Sequence, residues 1–286
     1  MVAERFDVAV VGSGPAGSVA ALILARAGAK VALVDKAGFP RDKACGDVVG
    51  PRGIALLRDL DLAPATAGGV DVGEMVVVGP SGGRVRLPCF AGVGYPGYGV
   101  AVPRQSFDAW LAHGAAEAGA RPVRGRVEGL AARRERIDGV DGVELAGGRR
   151  LRADVVIGAD GATSRVAEAA GLVDTRRVLW GFAVRVYLDQ PVALPHILLW
   201  EEERGRAFPG YGWLFPGPDG RANAGLGIGV LSASLCLFRR GPNRIQPPQA
   251  IAGTLRFIGR YTLEIYAIEL GGFELIVKLL PDLAAG

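Results

Sequence analysis

A chain that carries Asp7-Val8-Ala9-Val10-Val11-Gly12-Ser13-Gly14-Pro15-Ala16-Gly17 has few folds open to it. An apolar run of strand length passes directly into a turn with glycines at 12, 14 and 17, and a small-residue helical pattern follows. This is the order strand, phosphate turn, helix start. Gly12 permits the tight turn, Gly14 lets a pyrophosphate approach the backbone, and Gly17 lets the helix lie close to the strand. The helix end offers unpaired N–H groups and the positive end of its dipole to phosphate oxygens. Ala16, Val19, Ala20, Ile23 and Ala27 share one face at helical spacing, Gly28 suits the C-terminal stop, and Lys30–Val34 reads as a second buried strand. Asp35 ends that strand about 20 residues past the glycines, where a carboxylate can accept both hydroxyls of a ribose. An acid there fits the adenosine of NAD or FAD and argues against a 2′-phosphate, which it would repel.

At 286 residues the chain can bury a large core in one large or two smaller domains. Half the residues are hydrophobic, which excludes disorder as a property of the whole chain. The 44 glycines and 18 prolines point to the many turns of a sheet-rich α/β protein. The net charge of +4 is carried almost wholly by arginine, with lysine only at 30, 36, 43 and 278. No basic run is interleaved with aromatics, so nucleic acid is not an expected partner. Cys45, Cys89 and Cys236 are odd in number and widely spaced, which suggests neither a disulfide framework nor a cysteine zinc site. With His113 and His196 the only histidines, little is available for metal or triad chemistry. The first strand comes without a charged leader or apolar signal region, and no apolar run reaches the roughly 18 residues of a spanning helix, so the expected location is cytoplasmic.

Phe39-Pro40-Arg41-Asp42-Lys43-Ala44-Cys45-Gly46-Asp47 is too polar and glycine-bound to be a packed element and reads as an ordered loop. A Pro-Arg-x-Lys-x-Cys-Gly loop after a first βαβ unit resembles geranylgeranyl reductases and their relatives among the FAD-dependent oxidoreductases. That resemblance implies FAD as cofactor and Cys45 beside the flavin ring; a buried small hydrophobe is the bland alternative for a free cysteine. Residues 51–60 read as a short helix, 70–88 as two strands around Gly79–Gly83, and 92–99 as a glycine-aromatic loop. A helix is expected over 105–119, with Phe107, Trp110, Leu111 and Ala115 on its apolar side. Val-x-Arg-x-x-Phe-Asp-x-x-Leu resembles a segment of the same family, which implies Arg104 near the cofactor phosphates or, equally, an exposed arginine at a helix start. Residues 121–128 read as a strand, and Asp138-Gly139 and Asp141-Gly142 as turns. The strand Ala153–Ile157 then runs into Gly158-Ala159-Asp160-Gly161-Ala162-Thr163-Ser164. This is similar to the Gly-Ala-Asp-Gly-x-x-Ser motif of hydroxylase-like flavoproteins, which implies Asp160 and Gly161 in the FAD site. A cap on the next helix would also explain Asp160.

From 178 the pattern turns β-rich, with strands expected over 178–188, 196–202, 211–215 and 222–230. Tyr211, Trp213 and Phe215 fall on one face of a period-two strand. By themselves they read as core packing, but Pro-x-Tyr-x-Trp-x-Phe-Pro resembles the geranylgeranyl reductase signature, which implies an apolar isoprenoid cavity. The resemblance covers about 6–232. The Gly-Asp-Ala-Ala turn and Asn-Pro of the family's third FAD element are absent, residues 238–249 read as a proline- and arginine-rich linker, and 251–286 as an apolar tail.

The expected fold is α/β: a Rossmann-like FAD-binding domain over 1–177 with a β-rich excursion at about 70–103, an antiparallel β-rich substrate domain over 178–232, and an atypical or truncated closing region over 233–286. The resemblance implies FAD contacts at Gly12, Gly14, Pro15, Ala16, Gly17, Asp35, Lys36, Cys45, Gly46, Asp47, Arg104, Asp160 and Gly161. It further implies catalysis involving Cys45, substrate contacts at Tyr211, Trp213 and Phe215, and no metal. The implied activity is reduction of carbon–carbon double bonds in a prenyl chain on a lipid, quinone or pigment precursor, with NADPH or another reductant as electron donor. The partner is then a prenyl small molecule, with peripheral membrane contact as an accompanying expectation and the oligomeric state unassigned. The alternatives are a flavin monooxygenase or halogenase on the same scaffold, and a truncated flavoprotein fold that catalyses nothing.

Overall fold

β1 (Arg5–Val11) and β2 (Val31–Asp35) are near-continuous apolar runs, the pattern of parallel strands covered on both faces. A computed structural model of the chain describes residues 4–132, 140–173, 180–199 and 210–230. The chain divides into two units, Met1–Lys43 with Arg104–Val178, and Ala44–Pro103 with Leu179–Gly286. Phe208, Pro209, Asp138-Gly139 and the linker and tail of 233–286 lie outside the described residues.

In the first unit, α1 (Pro15–Arg26) follows β1, and α3 (Arg104–Glu117) packs on α1. A six-stranded sheet places β1 and β2 beside β8 (Arg121–Arg124), β9 (Val127–Ala132), β10 (Val140–Leu145) and β11 (Arg149–Gly158), in the order β8-β2-β1-β11-β10-β9. The first four strands in that order are parallel, and the last two pairings are antiparallel. Ala9, Val11, Ala32, Val34, Val143 and Ala153 fill the core with Val166 of α4 (Arg165–Ala169).

Three local expectations are corrected. α1 buries Gly17, Ser18, Ala21 and Leu22, while Ile23 is exposed. The close approach at Gly17 sets the helix face, and Ser18 tolerates burial because its hydroxyl donates to the carbonyl of Ser13 at 3.2 Å. On α3, Trp110 is exposed and the charged Asp108 is fully buried, because Asp108 is ion-paired. Asp141-Gly142 is a register shift inside β10 rather than a hairpin turn. It lets the strand absorb the extra length and continue pairing.

The second unit holds β3 (Val48–Val49), α2 (Pro51–Asp59), β4 (Val70–Val72), β5 (Glu74–Val78), β6 (Arg84–Pro88) and β7 (Gly99–Ala101). β12 (Trp180–Leu188), β13 (His196–Leu199), β14 (Gly210–Pro216) and β15 (Ala222–Val230) complete it. One sheet has the order β12-β15-β14-β13-β5-β6, antiparallel except where β13 meets β5. A small sheet, β3-β7-β4, stands apart from it. Met75, Ile197, Trp213 and Phe215 form a core on one face of the larger sheet. Among the described residues no helix is long and apolar enough to cross a membrane.

Charge also ties the first sheet together. Asp141 on β10 accepts from Arg5 of β1 at 3.0 Å and from Arg152 of β11 at 3.2 Å, and Arg5 also pairs with Asp154. Burial acts to raise the pKa of Asp141, but the hydrogen bonds from Arg5 and Arg152 outweigh it and hold the carboxyl below its ordinary value. A carboxyl with a depressed folded pKa contributes stability that is complete above its unfolded value and disappears as pH falls through the folded one. Asp141→Asn should therefore unfold at a lower temperature than the wild type at pH 7, with the gap closing below about pH 4. Melting curves across pH check this, and a gap independent of pH would refute it.

Candidate functional site

The turn between β1 and α1 is shaped by backbone contacts. Gly12 sits at φ +100°, donates to the carbonyl of Val34 at 2.7 Å, and lies so near β11 that a Cβ on it would be 2.3 Å from the carbonyl oxygen of Ala159. A Cβ on Gly17 would fall 1.7 Å from the carbonyl oxygen of Gly12. Gly14 differs from both. It is the N-cap of α1 in an ordinary extended conformation, with no side-chain cap and no acid in the first turn. Among the described residues beyond its chain neighbours, Nη2 of Arg41 alone comes within 4 Å of the place its Cβ would occupy, at 3.8 Å. Gly12 and Gly17 are filled by protein, whereas Gly14 opens outward toward a cation. Pro15 is N1 of the helix and Ala16 is exposed, so the N–H groups of the first turn accompany that opening.

Arg41 is itself held. Its Nη1 lies 3.2 Å from Oδ2 of Asp108, and its guanidinium stacks 5.0 Å from the ring centre of Phe39. Asp108 also takes a two-pronged pair from Arg104, Nε to Oδ1 at 2.6 Å and Nη2 to Oδ2 at 2.9 Å. The carboxylate is fully buried and Arg104 nearly so. Both guanidinium groups meet this one carboxylate, and that of Arg41 reaches the side of Gly14. A pyrophosphate fits this donor set: an uncapped helix end, a surface lacking a side chain, and a guanidinium beside it. The structure thus gives Arg104 a buried carboxylate partner and brings Arg41 to the glycine turn. Sequence reading singled out neither Arg41 nor Asp108 as site residues, although the Arg104/Asp108 spacing of four on a helix was a visible signal.

Asp35 closes the turn from β2. Its Oδ2 accepts the N–H of Ser13 at 2.7 Å and its Oδ1 the N–H of Ala37 at 2.9 Å, leaving acceptor capacity on each oxygen for a ribose hydroxyl. Lys36 is exposed. Asp160 caps the start of α4. Its Oδ1 accepts from the Ser164 hydroxyl at 2.5 Å, and its Oδ2 from the N–H groups of Arg165 and Val166 at 2.7 and 3.3 Å. Gly161 is exposed, with Nζ of Lys43 3.9 Å from the place of its absent Cβ.

In the second unit, the half-buried Cys45 begins a turn packed on the aromatic strand. A Cβ on Gly46 would lie 2.7 Å from the Phe215 ring, so this glycine is the space the ring occupies. Asp47 is buried at φ +63°, and its carbonyl accepts from the N–H of Val102 at 2.7 Å. Its Oδ2 accepts from the Tyr187 hydroxyl at 2.6 Å and from Nδ2 of Asn223 at 2.7 Å. Trp213 and Phe215 are buried in this packing, and Tyr211 is half-buried beside Trp213 with ring centres 5.9 Å apart. Sequence reading missed Asn223 and Tyr187; a lone amide in the otherwise apolar run of β15 was the available sign. Among the described residues no cluster of His, Cys, Asp and Glu could hold a metal.

Comparison with known proteins agrees with this geometry. The family model described as FAD binding domain matches residues 5–194. Menaquinone reductase of Mycobacterium tuberculosis is 38% identical over 82% of this chain and 57% of its own length. Digeranylgeranylglycerophospholipid reductase 2 of Methanopyrus kandleri is 37% identical over 78% of this chain and 55% of its own. Among solved structures, a geranylgeranyl bacteriochlorophyll reductase-like protein from Thermoplasma acidophilum superposes with a TM-score of 0.63 at 29% identity, covering 78% of this chain and 56% of that one. The chain spans little more than half the length of these relatives. With a matching model over most of its length and a glycine turn of the right shape, the chain belongs to the FAD-binding domain family.

Proposed function

We propose that this chain binds FAD through the Gly14 turn and works in a reductase that saturates carbon–carbon double bonds of a prenyl chain on a lipid or quinone. The observation that carries the reading is the turn itself, where Gly14 alone of the three glycines faces open space beside Arg41 and an uncapped helix end. The prenyl part is supported by similarity to proteins named for menaquinone and digeranylgeranylglycerophospholipid reduction.

In this reading the pyrophosphate is bound by the N–H groups opening α1 and by Arg41, with Asp108 fixing the arginine's direction. Asp35 accepts from the adenine-side ribose. When bound, FAD supplies a hydride to one carbon of the alkene, and NADPH or another reductant restores it. An isolated alkene is a poor electrophile, so a proton must reach the second carbon as the hydride arrives. Cys45 serves as the proton donor or as the group that orients a donating water. The product gains two hydrogen atoms per double bond.

The glycines give a test that separates folding from binding. Gly14→Val should cost less than about 1 kcal/mol of stability, since the backbone there is extended and only a helix-cap preference is lost. It should weaken FAD binding about tenfold or more. Gly17→Ala, forced against the Gly12 carbonyl, should instead destabilise the fold by about 1–3 kcal/mol. Melting curves and FAD titrations of the two variants measure both effects, and equal FAD affinity in Gly14→Val and wild type would remove the phosphate from this turn. For the reaction, mass spectrometry of a prenyl quinone or prenyl lipid incubated with the reduced, flavin-loaded protein should show added hydrogen. Cys45→Ala should keep its FAD and lose most of that activity. Full activity in the variant would take the thiol out of the mechanism.

A further inference from the structure

The Cys45 turn is held by strands that lie far away in sequence. Asn223 of β15 is 1% exposed, and every polar hydrogen and acceptor function of its side chain is engaged. Its Oδ1 accepts from Trp213 Nε1 at 2.9 Å. Its Nδ2 donates to the carbonyl oxygen of Cys45 at 2.7 Å and to Oδ2 of Asp47 at 2.7 Å. The partners fix which way the amide points. Turned over, it would set its oxygen against two acceptors and its N–H groups against the indole N–H. Few other side chains satisfy the position: a carboxylate lacks the two donors and would face Asp47, and a shorter or apolar residue would lose all three bonds. Phe215 fills the space at Gly46, and Tyr187 donates to the same oxygen of Asp47. β12, β14 and β15 therefore all converge on three consecutive residues, and one of the bonds is made to the backbone of Cys45 itself.

We infer that Asn223 is the positioning residue of the Cys45 turn, coupling the Trp213 strand to Cys45 and Asp47 and thereby setting how readily the Cys45 thiol reacts. The inference rests on the proposed reaction only for its consequence, since the coupling can be read on the thiol alone. A buried amide that merely stabilised the sheet would affect every thiol of the unit alike. A positioning amide acts on Cys45 selectively.

Cys89 supplies the internal control. It lies in the same unit, does not touch this network through any of these bonds, and has its thiol pKa pushed up by burial. The 286-residue chain, with whatever flavin it retains, is treated with iodoacetamide, and modification of each cysteine is followed by mass spectrometry of its peptide. Asn223→Asp, which keeps the shape of the side chain and the acceptor for Trp213, should speed modification of Cys45 about tenfold, with Cys89 unchanged. Asn223→Ala should act in the same direction. Trp213→Phe, which leaves both Nδ2 bonds in place and frees only Oδ1, should give a smaller rise and serves if the Asn223 variants do not fold. An unchanged Cys45 rate, or a parallel rise at Cys45 and Cys89, overturns the assignment. Absence of prenyl reduction with the selective Cys45 pattern intact would refute the proposed reaction and leave the positioning role standing.

Discussion

The first unit depends on a backbone contact that no side chain could share. Where β1 ends, Gly12 meets Ala159 just past the end of β11, and Gly17 of α1 meets the carbonyl of Gly12, both at distances that exclude a Cβ. That contact sets the depth of α1 against the sheet, and with it the buried face of the helix and the direction of its first N–H groups. Asp35 fastens the turn by accepting from Ser13, and the Arg41–Asp108–Arg104 group sets a positive charge at its open side. Electrostatics and shape favour the same ligand only because the three glycines differ: two are closed by protein and one is open.

The second unit uses another device. Its cysteine turn holds no regular element, and a turn of this kind would ordinarily sample many conformations. Here a buried amide, a phenol and an aromatic ring restrict it. Asp47 accepts a left-handed backbone angle, a conformation that aspartate tolerates better than most residues, and two side-chain donors reward it on one carboxylate oxygen. The aromatic residues of β14 are thus part of the support for Cys45, and their burial does not by itself make them the wall of a cavity.

Much of this was legible in the sequence, and the part that was not has a physical cause. The α/β class, the β1–α1–β2 order and the aromatic strand follow from local periodicity and glycine spacing, which act over a few residues. The buried face of α1 was misread because apolar periodicity pointed to Ile23, whereas the contact at Gly17 selects the face carrying Ser18. Trp110, expected on the apolar side of α3, is exposed, while Asp108 is buried because Arg104 on the same helix and Arg41 on a different segment both pair with its carboxylate. Asn223 bonds to residues up to 178 positions away, so only the folded chain reveals what it does.

Competitive binding of nucleotides to the flavin-free protein tests the assignment of the Gly14 turn most directly. In the proposed assignment the turn, Arg41 and Asp35 hold a pyrophosphate and an adenine-side ribose, which FAD has and FMN lacks. We expect FAD to bind, ADP to displace it, and FMN to bind at least about tenfold more weakly. Equal affinity for FMN and FAD, or no displacement by ADP, would show that the turn does not hold the dinucleotide.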